Sequence, residues 1–368
     1  MMRRKTVISI IAAAIVLLSG VSCTPQEQPG GTVTVILSSG LPETRGAAEV
    51  ADGSEIYLDN GEPDLILLLF NSQGALVAKY PDSDHASVMA TPSPSGDDMM
   101  IRISKTTSGG TIPAGDYTLY GIANTAGLWT MTDGTNTITA SDITTQAKAE
   151  LLYFTPLFAA ESPSKPNPEL AAAPNNRLPL TAKTTVTVSA NGNGSAELVM
   201  RRCVAQVVVR VVNNYGSALT LSANESYPFF SLHGLNASTG YLFQHSPDQP
   251  AGVVYSDLVN STVPTVLEDN TEQNSNIYEY SALVFPGTGS YLCDIAFAVT
   301  QVGGSPLGSA SKFRFTDLPV HNNRGEDITS ISRNQRLTIT VTISQGQMLS
   351  FSFEVGEWTS ITETVSFD

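Results

Sequence analysis

Two positions near the start of the chain are placed for covalent chemistry. Cys23 follows the small-residue run Leu18-Ser19-Gly20-Val21-Ser22, the setting in which a lipoprotein signal peptidase cuts and the exposed thiol is diacylated. Each acyl CH₂ buried in a bilayer contributes ~0.8 kcal/mol, so the mature chain would be held by acyl chains rather than by a transmembrane helix. Leu18 stands five positions ahead of the cysteine, a slightly stretched spacing. The second position is Arg45, a basic residue before Gly46 in the polar turn Pro42-Glu43-Thr44-Arg45-Gly46 and a candidate point of proteolytic cleavage.

Other chemistries find little support. His85, His233, His245 and His321 stand apart, with no HExxH and no His/Cys spacing for zinc. There is no GxSxG elbow and no glycine-rich loop ending in Lys-Ser or Lys-Thr. The acidic clusters Asp82-Ser83-Asp84-His85 and Asp97-Asp98 lack a calcium-loop pattern and read as solvated loops. Carboxylate pairs for glycoside hydrolysis leave no local signature, but nothing else points to an enzyme, a metal or a cofactor. Removing the leader takes three of the 19 basic residues and none of the 34 acidic ones, so the formal charge moves from −15 to −18. Binding to nucleic-acid phosphates needs clustered Lys and Arg and is not expected.

These residues must be positioned by the surrounding elements. Arg3, Arg4 and Lys5 precede the apolar run Val7–Leu18, which has signal-peptide length and is short for a bilayer span. A polar leash, Thr24–Gly31, leads to one isolated strand, Thr32–Ser39, whose residues alternate at first and then become apolar on both faces. A tethered chain with a strand ahead of a cleavage point suggests a subunit that is trimmed to become assembly-competent.

Beyond Arg45, short Val/Ile/Thr/Tyr runs bounded by Gly, Pro, Ser and Asn recur, the pattern of an all-β sandwich. Asp64–Phe70 is the most apolar run and reads as a central strand, followed by a hairpin turn into Leu76–Tyr80. Met99–Lys105 and Tyr117–Asn124 are further strands. Ala140–Phe154 has helical character, with Ser141 or Asp142 available as a cap. Thr184–Ala190 and Ala196–Met200 flank Asn191-Gly192-Asn193-Gly194, a hairpin signal. Arg201–Val212 reads as the strand that opens a second domain, and Ser281–Pro286, Tyr291–Val299, Lys312–Phe315, Leu337–Ile343 and Met348–Val355 continue it. Cys203 and Cys293 could pair in an oxidising compartment, but both sit in such runs and read rather as buried free thiols, since two sandwich-core cysteines need particular geometry to bridge. A last strand places Ile361, Val365 and Phe367 on one face, after Trp358, which reads as a core plug. The division is thus 1–22 signal peptide, 23–45 lipidated leader with a removable strand, and β-domains at 46–200 and 201–368.

Taken in order, Cys23, Thr44-Arg45-Gly46, Ile112-Pro113-Ala114-Gly115-Asp116-Tyr117 running to Ala123-Asn124, Leu178-Pro179-Leu180 running to Arg202-Cys203-Val204-Ala205-Gln206-Val207, and Ser332-Arg333-Asn334 running to Trp358 are similar to the fimbrillins. These are lipoprotein-derived subunits of type V pili from Gram-negative anaerobes, with related anchor and tip proteins. The resemblance spans nearly the whole chain. It implies two transthyretin-like β-sandwiches in series, an outer-membrane lipid-anchored precursor, and trimming between Arg45 and Gly46 by an arginine-specific protease. It also implies a place in a cell-surface pilus among copies of the same chain and other pilus subunits. Loss of residues 24–45 would leave unpaired N–H and C=O groups and empty side-chain sites, which an extended strand from another subunit can fill. Thr359–Phe367 is the candidate donor, with Ile361, Val365 and Phe367 setting register. A non-cleaved anchor would instead keep Thr32–Leu37 as a permanent edge strand. A second expectation is a surface adhesin or pilus tip that binds a host glycan or protein through aromatics such as Tyr227, Phe229, Phe230 and Tyr241.

Overall fold

The computed structural model describes residues 31–37, 58–59, 62–82, 90–92, 99–125, 129–156, 178–224, 227–236, 239–244, 248, 250–253, 255–269, 275–322, 324–345 and 348–357. Cys23, Arg45, Gly46, Trp358, Ile361, Val365 and Phe367 lie outside the described residues, as do His85 and His245. The described chain is almost entirely β.

The first part of the chain contains β1 (Thr32–Leu37), β2 (Leu58–Asp59), β3 (Glu62–Pro63), β4 (Leu65–Asn71), β5 (Leu76–Tyr80), β6 (Ala90–Pro92) and β7 (Met99–Ile103). It continues with β8 (Gly115–Ala123), β9 (Trp129–Thr132), β10 (Thr137–Ile138), helix α1 (Gln146–Glu150), β11 (Tyr153–Pro156), β12 (Leu180–Val188), β13 (Asn193–Leu198) and β14 (Arg201–Arg202). Two sheets, ordered β13-β1-β7-β6 and β14-β12-β8-β4-β5, close on one core that includes Val33, Val35, Leu37, Leu67, Leu69, Ile101, Leu119, Val186 and Leu198. The run Leu65–Phe70 is apolar throughout because both faces of β4 are covered. Leu65, Leu67 and Leu69 enter this core. Ile66, Leu68 and Phe70 enter a second cluster outside the sheet, under Trp129, Met131, Ile143, Ala149, Leu152 and Phe154. That cover includes α1, capped by the Thr145 hydroxyl, which accepts from the Lys148 N–H at 3.3 Å.

The Asn191–Gly194 signal resolves differently from a hairpin. The turn is tight, with the Ser189 N–H donating to the Asn193 carbonyl at 3.0 Å. Its two arms nevertheless go to opposite sheets, β12 pairing with β8 and β14 while β13 pairs with β1. Val186 and Val188 on one arm and Ala196 and Leu198 on the other face each other across the core. Gly194 permits the arch: a Cβ there would stand 3.0 Å from the Thr187 carbonyl oxygen and 3.1 and 3.2 Å from the Val186 and Val188 methyls.

The chain crosses from β14, still paired to β12, through Cys203–Val204 into β15 (Ala205–Asn214). It then forms β16 (Leu219–Ser222), β17 (Phe230–Asn236), β18 (Gly240–Tyr241), β19 (Tyr255–Asn260), β20 (Val266–Leu267), β21 (Ile277–Val284) and β22 (Gly287–Thr288). The remaining strands are β23 (Leu292–Val302), β24 (Ser305–Pro319), β25 (Ser330–Ile331), β26 (Gln335–Ser344) and β27 (Met348–Glu357). Sheets β21-β15-β26-β27 and β19-β17-β23-β16-β20, with β24 on β23, form a second sandwich. Its core includes Val207, Val209, Val211, Phe229, Phe230, Phe297, Ile339 and Phe353.

The two sandwiches share a junction. β18 pairs with β11, and Cys203, Val204, Leu242 and Phe285 join the cluster over β4 and β8. The Arg333 guanidinium donates to the Leu242 carbonyl at 2.6 Å, to the Thr181 hydroxyl at 2.5 Å and to the Arg201 carbonyl at 2.9 Å. One fork therefore ties β12, β14 and the 240–243 turn together.

Candidate functional site

The sequence places Thr32–Leu37 ahead of the candidate cleavage point, and the fold puts this strand inside a sheet, not at its edge. β1 runs parallel to β13, from Thr32 opposite Asn193 to Leu37 opposite Leu198. On its other side it runs antiparallel to β7, with Val33 opposite Ile103, Val35 opposite Ile101 and Leu37 opposite Met99. Two ladders therefore depend on this one strand. Strand alternation sends Val33, Val35 and Leu37 inward, at 0%, 0% and 1% exposure, while Thr32, Thr34 and Ile36 sit half-buried on the other face.

Attachment of β1 is by backbone and apolar contact alone: among the described residues, no side-chain hydrogen bond or ion pair holds it. Burying side chains of this size stabilises by roughly 1.5–3 kcal/mol each, and each ladder hydrogen bond adds about 0.5–1.5 kcal/mol. Three such side chains and two ladders are comparable with the whole stability of a typical domain, about 5–15 kcal/mol. An empty slot between β13 and β7 is thus too costly to persist without a substitute. Just ahead of β1, Gly31 bridges to Ile112, and a Cβ at Gly31 would lie 2.2 Å from the Ile112 carbonyl oxygen and 3.0 Å from that of Gly192. That end of the slot admits only glycine.

No family model matches the sequence, and no curated protein does either. Solved structures do match. A protein from Parabacteroides distasonis assigned to cell adhesion aligns over 91% of this chain and 99% of its own, with 11% identity and a TM-score of 0.52. A second such protein, from Bacteroides eggerthii, aligns over 89% of this chain and 96% of its own, with 13% identity and a TM-score of 0.50. The chain has their fold. A fimbrilin from Porphyromonas gingivalis aligns over 91% of this chain and 99% of its own, with 12% identity and a TM-score of 0.45.

The remaining sequence candidates fall as follows. Phe229 and Phe230 are core residues of the second sandwich. Tyr241 is half-buried and packs edge-on against Tyr153. Tyr227 is exposed, its ring under the Arg314 guanidinium at 3.7 Å and its hydroxyl accepting from Arg314 at 2.7 Å. Cys203 and Cys293 are free and buried. Burial pushes the Cys293 thiol up to about 12 and raises that of Cys203 as well. Neither thiol is set up as a nucleophile.

One cluster had no sequence signal. His233 on β17 stands between Asp257 on β19, 3.0 Å from Nδ1, and Asp294 on β23, 3.3 Å from Nε2. Three strands far apart in the chain supply it, so no local spacing reveals it. Partial burial pushes the imidazole pKa down, but the two carboxylates outweigh that and the net shift is upward. Asp294 also accepts from the Asp317 N–H at 2.8 Å, where β24 bulges with Asp317 at φ 56°. Among the described residues, no group of three His, Cys, Asp or Glu side chains is arranged to hold a metal ion, and no helix is long and apolar enough to cross a membrane.

Proposed function

We propose that this chain is a structural subunit of a cell-surface pilus of the fimbrillin type, contributing to adhesion. It is exported as a precursor lipidated on Cys23 and anchored to the outer membrane through acyl chains. Cleavage between Arg45 and Gly46 by an arginine-specific protease then frees the leader, and a strand from another pilus subunit takes the place of β1. The observation that carries this reading is the position of β1: an internal strand, with three fully buried side chains, ahead of the candidate cleavage point. Strand addition supplies main-chain hydrogen bonds for affinity and side-chain slots for register. The fold shared with two proteins assigned to cell adhesion supports a surface role.

Amino-terminal sequencing of the protein extracted from surface filaments tests it. The expected start is Gly46; a start at lipidated Cys23 within filaments overturns the reading. Arg45→Ala is expected to abolish assembly and leave a folded, membrane-bound monomer, seen as loss of filaments by electron microscopy with the precursor retained in the membrane fraction. Normal filaments from this variant would rule out trimming here.

A second reading, a non-polymerising adhesin or a pilus tip or anchor, is favoured by the exposed Tyr227–Arg314 pair, a surface on which a sugar ring or peptide can stack. Saturable binding of a host glycan or matrix protein by monomer, lost in Tyr227→Ala, would favour that reading.

A further inference from the structure

Resting on the adhesive role proposed above, and not on strand exchange, we infer that a cleft at the junction of the two sandwiches binds a short glycan that carries a carboxylate. The cleft has a volume of about 520 Å³, within the roughly 300–1,000 Å³ usual for small-ligand sites, which favour domain junctions. One wall is β12 together with the run from Glu197 to Arg201. Alternation sends Leu180, Ala182, Leu198 and Met200 into the core of the first sandwich. Lys183, Val199 and Arg201 therefore face the cleft. Arg201 is paired with Thr181, so Lys183 stands diagonal to it at a backbone spacing of roughly 7–8 Å. One carboxylate can lie between these two cations. The facing wall belongs to the second sandwich: Phe243, Gln244 and the turn Ser332–Gln335, with Asn334 at φ 58°. The Arg333 fork described above holds the two walls together.

The chemistry of the walls selects the ligand. The chain carries 19 basic residues against 34 acidic ones, yet three cations, Lys183, Arg201 and Arg333, line this cleft against one carboxylate, Glu197. Arg333 contributes its charge, since its Nη atoms are engaged by Leu242, Thr181 and Arg201. Lys183 pairs with Glu150, and an ammonium with three donors has others to give. The exposed Arg201 guanidinium makes no hydrogen bond or ion pair among the described residues. Such a planar fork takes a carboxylate bidentately. Around it stand uncharged polar groups in the same condition: the Thr184 and Ser332 hydroxyls, the Gln244 amide, and Nε2 of Gln335, whose Oε1 accepts from the Ser332 N–H at 2.8 Å. Hydroxyls and amides both donate and accept, as the hydroxyls of a sugar do. Phe243, half-buried and edge-on to Tyr120, offers an apolar surface to the C–H face of a sugar ring. An acidic peptide would present its carboxylates along a line. Here the cations gather on one wall, and apart from Arg333 the facing wall offers only uncharged side chains.

The test titrates full-length chain in detergent against fluorescent sialyllactose, a glucuronic-acid disaccharide, lactose and tetraglutamate, followed by anisotropy. At least one acidic sugar is expected to bind saturably, with lactose about tenfold weaker or more. Arg201→Gln should weaken the acidic sugar about ten- to a hundredfold, and Arg201→Lys should recover part of the loss. Glu197→Gln should tighten it about threefold, a gain that misfolding cannot produce. Binding of neither acidic sugar, binding no tighter than that of lactose, or binding of tetraglutamate in their place overturns the inference. So does binding that survives Arg201→Gln and is lost in Tyr227→Ala, which moves the ligand to the Tyr227–Arg314 surface. Filaments that still adhere to host surfaces while the purified chain ignores both sugars would put the failure in the cleft; filaments that adhere to nothing end the adhesive role as well.

Discussion

The two sandwiches place a strand at the same topological position and hold it by different means. In the first, β1 lies between a parallel neighbour, β13, and an antiparallel one, β7. In the second, β15 lies between parallel β26 and antiparallel β21. Both send alternate aliphatic side chains into their core, Val33, Val35 and Leu37 in one and Val207, Val209 and Val211 in the other. β15 is further pinned by polar side chains. Arg336 Nε donates to the Gln206 side chain at 2.8 Å, and Arg210 pairs with Glu279 at 3.0 Å. Asn213 Nδ2 donates to the carbonyls of Ser217, Leu267 and Glu268 at 2.9, 3.0 and 2.8 Å. β1 has none of these ties among the described residues. A strand held only by backbone and apolar contact is replaceable by any strand of matching pattern, whereas one held by specific side-chain bonds is not. The difference lies in attachment, since ladder geometry and core chemistry are alike.

The comparison breaks most visibly if a charge is put in each strand. Val209→Asp buries an unpaired carboxylate in β15 and is expected to cost at least about 3–5 kcal/mol, enough to unfold the second sandwich in both the precursor and the cut form. Val35→Asp should cost a similar amount in the precursor and nothing in a chain cut after Arg45 whose slot has been refilled by a donor strand. Urea unfolding of the four proteins separates these outcomes. A Val35→Asp penalty that survives cutting and refilling means that β1 never leaves, and the two strands are then equivalent.

A smaller effect tests whether the halves behave as one body. Arg333→Ala removes charge-assisted bonds to Leu242, Thr181 and Arg201, an expected loss of roughly 2–3 kcal/mol. Arg333→Lys keeps the charge but not the fork, and should recover only part of it. The readout is calorimetric: a single transition in the native chain should split in Arg333→Ala as the sandwiches uncouple.

What could be read from the residues follows from which forces leave a local trace. β4 was legible because burial on both faces makes every position apolar, and β26 because half-burial makes residues alternate; β8, whose Tyr and Leu residues alternate in the sequence as on a half-buried strand, is instead buried on both faces from Leu119 to Ala123. Pairing left no trace: β1 and its parallel partner β13 are separated by most of the first sandwich, so the internal place of β1 appears only in the fold. The arch at Asn191–Gly194 carries hairpin residues because a tight turn needs them wherever its arms go. β24 was read only at Lys312–Phe315, yet it extends over Ser305–Pro319. It is largely exposed, and its hydrogen bonds to β23, not an apolar pattern, make it a strand. Cys23, Arg45, Gly46, Ile361, Val365 and Phe367 remain sequence expectations outside the described residues.

The smallest effect expected comes from His233, and it marks the second sandwich alone. Its folded pKa is raised above the ordinary value by Asp257 and Asp294 despite burial. The folded state therefore binds the proton more tightly than the unfolded chain does. The resulting stabilisation is fully present below the ordinary imidazole pKa of about 6.5 and is lost as pH rises through the raised folded value. Because His233 and Asp257 are partly exposed, the contribution should stay under about 1 kcal/mol. His233→Asn is accordingly expected to lower stability near pH ~5.5 and to approach the native value once the imidazole is neutral. The same substitution in an Asp294→Asn background should show less than the full difference, since one of the two carboxylates that favour the charged ring is gone. A penalty for His233→Asn that is independent of pH would assign the residue to packing at the β17 bulge instead, and the cluster would then resemble β1 more than β15: held by shape rather than by charge.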